Sequence, residues 1–290
     1  MSNIDLIIEE RAADIGDFMV GRLLPFRQKR MVGPFAFIDH MGPAEMNEHQ
    51  NLNVPTHPHI ELSTLTFLFE GSILHQDSLG TKIKIEPGAV NWMTAGKGIV
   101  HSERTPPEIQ HKKKKLHGLQ IWVALPKELE KSSPTFTHVQ KEDIPNWEVE
   151  GVQYRLIAGE AFQKKSPVPV HSKLYFIELK SKSKTQIDIG ENLYGESALY
   201  ILEGKVTHQE KSFEPKRILV SKNAKLCQFA MEANTTVYIF GGEVFPEPRI
   251  IHWNFVASEK HMIEEAIEKW KNQEFDKVPG EEDFVPYPNL

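Results

Sequence analysis

The sequence predicts an all-β protein built from two similar barrel-like domains, with one short helix near the C-terminus. Three observations carry this. Short runs rich in β-branched and aromatic residues recur through the chain, punctuated by Gly, Pro, Asn and Asp. A pattern occurs twice, as TFLFEGSILHQD at 66–77 and as LYILEGKVTHQE at 199–210, an offset of 133 residues. One stretch only, 258–272, has apolar residues at helical spacing.

The elements follow in order. IELSTLTFLF at 60–69 reads as a strand, and 81–86, 119–125, 174–179, 197–203 and 235–240 read the same way. Glu70-Gly71, Leu79-Gly80, Pro87-Gly88 and Glu203-Gly204 supply the turns between them. Many short strands with regular turns fit a sandwich or barrel. The repeat offset is too long for a solenoid unit and points to two copies of one domain. The division expected is 1–130 and 140–290, joined through the turn-rich stretch from Pro126 to Pro145. In the helix, Ser258 is the candidate N-cap, and Met262, Ile263, Ala266, Ile267 and Trp270 form the apolar stripe that would cover a β domain.

Composition excludes several classes of function. With 290 residues, 40% of them hydrophobic, the chain is neither disordered nor short of core. Its net charge of −6 argues against direct nucleic-acid binding, which needs dense Lys and Arg. No apolar run approaches the ~20 residues of a membrane span, and the N-terminus is too acidic and polar for a signal peptide. Cys227 is the only cysteine, so neither an internal disulfide nor a cysteine-based zinc site can form. A reducing, cytoplasmic location is expected, with Cys227 buried and inert.

The chemistry centres on His57-Pro58-His59 and His101-Ser102-Glu103. In an extended chain, residues i and i+2 share a face, so each triplet converges two ligating side chains on one point. Pro58 has no N–H and favours an edge position. On neighbouring strands the two pairs would offer three nitrogens and one oxygen to a divalent metal. Spacing alone leaves two readings open: a metal site, or incidental close pairs among 13 histidines.

The surrounding motifs decide between them. VGPFAFIDHMGP (32–43), HPHIELSTLTFLFEGSILHQDSLG (57–80), PGAVNWMTAGKGIVHSE (87–103), LHGLQIWVALP (116–126), PRIIHWNFVAS (248–258) and VPGEEDFVPYP (278–288) together resemble the pirin family. Pirins are bicupins, so the resemblance implies two cupin (jelly-roll) β-barrels in tandem. It also implies His57, His59, His101 and Glu103 as metal ligands. One departure stands out. Where the family commonly has Arg-Gly-Phe-Glu after the second histidine, this chain has Ile60-Glu61-Leu62-Ser63. Many cupins ligate through a carboxylate at the place of Ser63, and Glu61, two residues from His59, could sit near the site instead.

The second barrel is expected to hold no metal. At the repeat offset, His57 and His59 correspond to Gly190 and Asn192, and no His-x-Glu follows in 211–234. His75 and its mate His208 are read as structural, neither having a ligand partner two residues away. His117 is read as a core histidine and Lys112–Lys115 as a solvated loop. The loop 94–101 lacks the order of a phosphate loop, and its glycines are read as shaping the turn that delivers His101.

Three neutral imidazoles, one carboxylate and a divalent ion would carry about +1, which favours a substrate oxyanion. Four protein ligands on an octahedral ion leave two positions, which suits iron(II) best, with Cu, Ni, Mn or Zn as alternatives. The resemblance then implies an O2-dependent dioxygenase acting on a quercetin-like flavonol or another enolic or phenolic substrate, with Glu103 also a candidate base. The other implied role is an iron-dependent redox sensor that binds a regulatory protein partner. The blandest reading is a purely structural metal.

Overall fold

The computed structural model describes residues 4–15, 18–221 and 228–288. Cys227 lies outside the described residues. All secondary structure longer than a single turn is β apart from one helix, α1, Lys260–Lys271. The chain forms two compact units: Ala12–Gly21, Ile38–Lys141 and Pro246–Leu290 in one, and Met1–Arg11, Arg22–Phe37 and Glu142–Phe245 in the other. We call them the N-terminal and C-terminal barrels.

The predicted strands form where the β-branched and aromatic runs placed them. In the N-terminal barrel, Leu62–Glu70 is flanked by Val90–Thr94 and Lys114–Ala124 in a large antiparallel sheet, with Thr135–Val139 beyond Val90–Thr94. A second, four-stranded sheet runs in the order Asn53–His59, Ile99–Arg104, Ile73–Asp77, Lys82–Ile85. The C-terminal barrel repeats both. Glu196–Glu203 is flanked by Arg217–Ser221 and Thr235–Gly242, with Ile4–Glu9 beyond Arg217–Ser221. Its small sheet runs Thr185–Ile187, Phe229–Met231, Val206–His208, Lys211–Phe213. The repeated Glu-Gly also has a structural reason. Gly71 and Gly204 both sit at positive φ, 83° and 77°, a conformation that costs glycine little. A Cβ on Gly71 would lie 2.1 Å from the Lys115 carbonyl oxygen.

The division into 1–130 and 140–290 needs correction at both ends of the chain. Ile4–Glu9 belongs to the C-terminal barrel, where it covers the open edge of Arg217–Ser221, and an uncovered strand edge is a liability. Residues 246–290 belong to the N-terminal barrel. There the apolar stripe of α1, Met262, Ile263, Ala266 and Trp270, packs with Ile60, Val100 and Phe255. An amphipathic helix is held by that burial far more than by its own propensity.

The expected N-cap is also corrected. The cap position is Glu259, and no side chain caps the helix. Ser258 is committed elsewhere: its hydroxyl donates to Glu130 Oε2 at 2.7 Å and its N–H to Oε1 at 2.9 Å. Glu130 also pairs with the Arg249 guanidinium at 3.2 Å, and both side chains are almost wholly buried. Arg249 in turn donates to the Leu125 carbonyl. This cluster fastens the C-terminal segment to the barrel.

Removing one partner of a buried ion pair leaves the other uncompensated, at roughly 3–5 kcal/mol. Glu130→Ala is expected to cost about 3 kcal/mol, the lower end, because Glu247 still receives the Arg249 guanidinium. Denaturant unfolding of the purified variant checks this, and a loss below ~1 kcal/mol would contradict it.

Candidate metal centre

The expectation that Pro58 favours an edge is met, since Asn53–His59 is the edge strand of the small sheet. It pairs with Ile99–Arg104 so that His57 lies opposite His101, but the register shifts before Glu103, which lies opposite Val54. The extra residue falls between Val54 and His57, where Pro55 and Thr56 stand. This bulge frees the Pro55 carbonyl to accept from His57 Nδ1 at 2.9 Å. His59 Nδ1 donates at 2.9 Å to the Asn254 carbonyl, from the C-terminal segment of the same unit. Backbone acceptors on Nδ1 fix the tautomer and leave Nε2 as the ligating atom.

His57, His59 and His101 come together, their ligand atoms all within 4.8 Å of one another. All three are buried. Burial, the largest cause, holds the His57 imidazole down at about 4 and those of His59 and His101 well below the usual histidine range. The mutual repulsion of the rings adds to this for His59 and His101. The rings are therefore neutral at physiological pH, the form a metal ion needs. His101 is the decisive member: both of its ring nitrogens are buried with no hydrogen-bond partner. A buried polar atom without a partner is costly unless something else binds it, and an ion between the three rings would supply what His101 lacks. The donor set thus fits a divalent metal.

Glu103 lies outside that triad. It is buried, and its carboxyl is pushed up to about 7 by burial, an effect that the nearby Thr66 hydroxyl offsets in part. It stands opposite His75 on the neighbouring strand. Ser63 is not near the site. Residues on Leu62–Glu70 alternate faces, Thr66 touches Glu103, and so Ser63 points the other way, where its hydroxyl meets Thr94 at 3.0 Å. Glu61 also turns aside. Its φ of 59° breaks the strand alternation and explains why glycine suits this position in the family pattern. Its carboxyl, pushed up to about 8 first by burial, feels Glu130, Lys131 and Arg249.

The reading of His75 is corrected. It has a partner two residues away: Nε2 meets Asp77 Oδ2 at 2.9 Å, with both groups buried. Asp77 Oδ1 takes the N–H groups of Leu79 and Thr81, so the turn locks it. The His75 ring stacks on Phe136, centroids 4.5 Å apart, and lies 5.3 Å from His101. The triplet His75-Gln76-Asp77 carried this signal in plain view. His117 is buried, its Nε2 2.8 Å from that of His40. Lys114 ties down its own loop through backbone carbonyls and Lys115 pairs loosely with Glu45. In the turn before His101, Gly98 N–H closes on the Ala95 carbonyl.

Among the described residues, the only such group able to hold a metal is the triad in the N-terminal barrel. In the C-terminal barrel, Ile187 faces Phe229 across the small sheet, the places held by Val54 and Glu103 in the first. Both belong to an apolar core with Leu199, Leu219 and Ile239. His208 is tied to the Gln228 carbonyl at 3.0 Å.

One substitution tests the triad twice. Replacing His57 with Ala is expected to lower nickel(II) or iron(II) affinity at least ~10-fold, read by metal titration. Its effect on the metal-free protein depends on pH. A folded value near 4 against an unfolded one near 6.5 means the unfolded chain binds the extra proton between those limits. Wild-type stability from this group is therefore lost as pH falls from ~6.5 to ~4, by up to roughly 3 kcal/mol. Thermal denaturation across that window should show the His57→Ala protein losing less than wild type.

Comparison with known proteins agrees with this geometry. The pirin family model matches residues 17–123, and the model of the pirin C-terminal cupin domain matches 174–276. A pirin-like protein of Caulobacter vibrioides is 43% identical over 98% of this chain and 99% of its own. The crystal structure of a quercetin 2,3-dioxygenase from Acinetobacter baumannii is 33% identical, with a TM-score of 0.89 over 98% of this chain and 95% of its own. A bacterial pirin, YhhW from Escherichia coli, solved in complex with nickel(II), shares the fold at 20% identity, with a TM-score of 0.65 over 82% of this chain and 99% of its own.

Proposed function

The chain belongs to the pirin family, and from that premise we propose that it is a metal-dependent dioxygenase that oxidises an enolic or phenolic substrate, of which a quercetin-like flavonol is the type, with O2. The observation that carries this reading is His101, whose two buried nitrogens have no partner beside two histidines already anchored through Nδ1. The relative named as a quercetin 2,3-dioxygenase supports the substrate class.

In this proposal His57, His59 and His101 hold the ion, and Glu103 completes the set. When bound, a divalent ion, iron(II) in first place, supplies Lewis acidity and redox chemistry toward O2. The chain's own residues do the rest. Glu103 takes the proton from the substrate's enolic O–H onto a carboxylate oxygen. Burial raises its carboxyl in the metal-free protein, and a divalent ion beside it would hold it as the carboxylate, the form that accepts a proton. Thr66 orients it. Trp122, 5.0 Å from the His59 ring, and Phe136 wall the site with aromatic faces that exclude water. The C-terminal barrel takes no part in metal binding. Among the described residues no helix is long and apolar enough to cross a membrane, and a cytoplasmic location belongs to the same proposal.

Anaerobic loading with iron(II), followed by quercetin and an oxygen electrode, tests the reading: stoichiometric O2 uptake is expected, and none from fully loaded protein with any enolic substrate would sink it. Glu103→Gln separates the two roles of this residue. An amide oxygen still ligates weakly but takes no proton at neutral pH. Metal content measured by mass spectrometry should fall less than ~3-fold, while turnover falls ~100-fold or more.

A further inference from the structure

The two barrels share strand order and pairing register, so each position in one has a counterpart in the other. Three contacts define the face of the large sheet that meets the metal-bearing sheet in the N-terminal barrel: Thr66 with Glu103, Trp122 with His59, and Phe136 with His75. Thr66 lies opposite Asn91 on one side and Gln120 on the other, and Asn91 lies opposite His138. Cross-strand partners share a face, so these four side chains form one row facing the metal site.

The same row in the C-terminal barrel is apolar. Leu199, the counterpart of Thr66, lies opposite Leu219 and Ile239, and Leu219 lies opposite Ile7. Leu199, Leu219 and Ile239 are core residues. The fold therefore needs nothing polar in this row. Burying a threonine and an asparagine here, beside a half-buried glutamine, costs stability unless the groups are used. They occur in the barrel that has the histidine triad and not in the one that lacks it.

The hydrogen bonds within the row show what it offers. The Thr66 hydroxyl is 2.8 Å from Gln120 Oε1, and His138 Nδ1 is 2.7 Å from Asn91 Oδ1. Both amide oxygens are thus engaged by neighbours, which leaves both –NH2 groups as donors. With its Nδ1–H given to Asn91, neutral His138 keeps Nε2 as an acceptor. Donors beside an acceptor match an aromatic hydroxyl pair, in which one oxygen accepts and one O–H donates.

We propose that Thr66, Asn91, Gln120 and His138 form a recognition wall for the far edge of the substrate, selecting a ligand that carries ring hydroxyls away from its metal-binding oxygen. The proposal deepens the enolic reading of the site and rests on it only for the orientation of the ligand. It makes the preferred substrate a polyhydroxylated aromatic rather than a bare enol.

The test is a two-by-two ligand set on nickel(II)-loaded protein without air, with binding read by tryptophan fluorescence and calorimetry. The ligands are 3-hydroxyflavone and flavone, each with and without two adjacent hydroxyls on the outer ring. The enolic reading predicts tighter binding of the pair with the 3-hydroxyl. The wall predicts tighter binding of the outer-ring hydroxylated member within each pair, by ~10-fold, equivalent to about 1.4 kcal/mol. The variants Asn91→Leu and Gln120→Ile borrow the residues that the second barrel uses. Combined, they should reduce the outer-ring preference below ~3-fold at unchanged metal content and leave the 3-hydroxyl contrast in place. Should the double variant not fold, Gln120→Ile alone, at the less buried position, is expected to reduce the preference at least ~3-fold. An outer-ring preference absent from wild type, or equal in wild type and variant, overturns the wall. Loss of the 3-hydroxyl contrast alone overturns only the enolic reading, and failure of all four ligands to bind overturns both.

Discussion

Three imidazoles kept neutral in a dry interior are the constraint on which the N-terminal barrel is built. Charging any of them inside the barrel would forfeit hydration that nothing there replaces. Leaving them neutral but unanchored would waste their donors and acceptors. The chain anchors His57 and His59 through Nδ1 to backbone carbonyls; His101 keeps both nitrogens unpartnered, a cost that an ion between the three rings would relieve. Each anchor has its own structural origin. Pro55 is presented by a bulge in the ligand strand itself. Asn254 comes from the far end of the sequence, in a segment held to the barrel by the α1 stripe and the Glu130–Arg249 pair.

That segment does more for the site than cover a surface. Thr56, next to His57, exchanges backbone hydrogen bonds with Asp283 and Val285. Arg104, next to Glu103, is bound by Glu281 and Asp283. Ser102 and Gln76 also donate to Glu281. Both strands that carry the histidine triad are therefore laced to residues 281–285, and the outward-facing polar residues beside the histidines have this structural use.

The duplicated fold provides its own control. One topology is filled with aliphatic and aromatic side chains in the C-terminal barrel and with histidines, a glutamate, amides and hydroxyls in the N-terminal one. Strand pairing tolerates both fillings because backbone hydrogen bonds, turns such as those at Gly71 and Gly204, and alternation do not depend on which side chains point inward. The interior is thus what differs between the two copies of one topology.

What the sequence alone determined is what is local. Runs of β-branched and aromatic residues located the strands, the 133-residue offset exposed the duplication, and the i, i+2 spacing of the triplets pointed to His57, His59 and His101, which the fold brings together, because a period of two is written directly in the chain. The apolar stripe of α1 was legible for the same reason. Tertiary structure decided the rest. It took Ser258 from the helix cap to Glu130, assigned the two chain ends to barrels other than the nearest in sequence, turned Ser63 and Glu61 away from the site, and brought Asn254 to His59 and Gln120 to Thr66. Those outcomes depend on bulges, on register, and on contacts between residues as distant in sequence as Thr56 and Asp283, 227 positions apart. Such contacts form only when whole sheets pack, and no local pattern of residues encodes them.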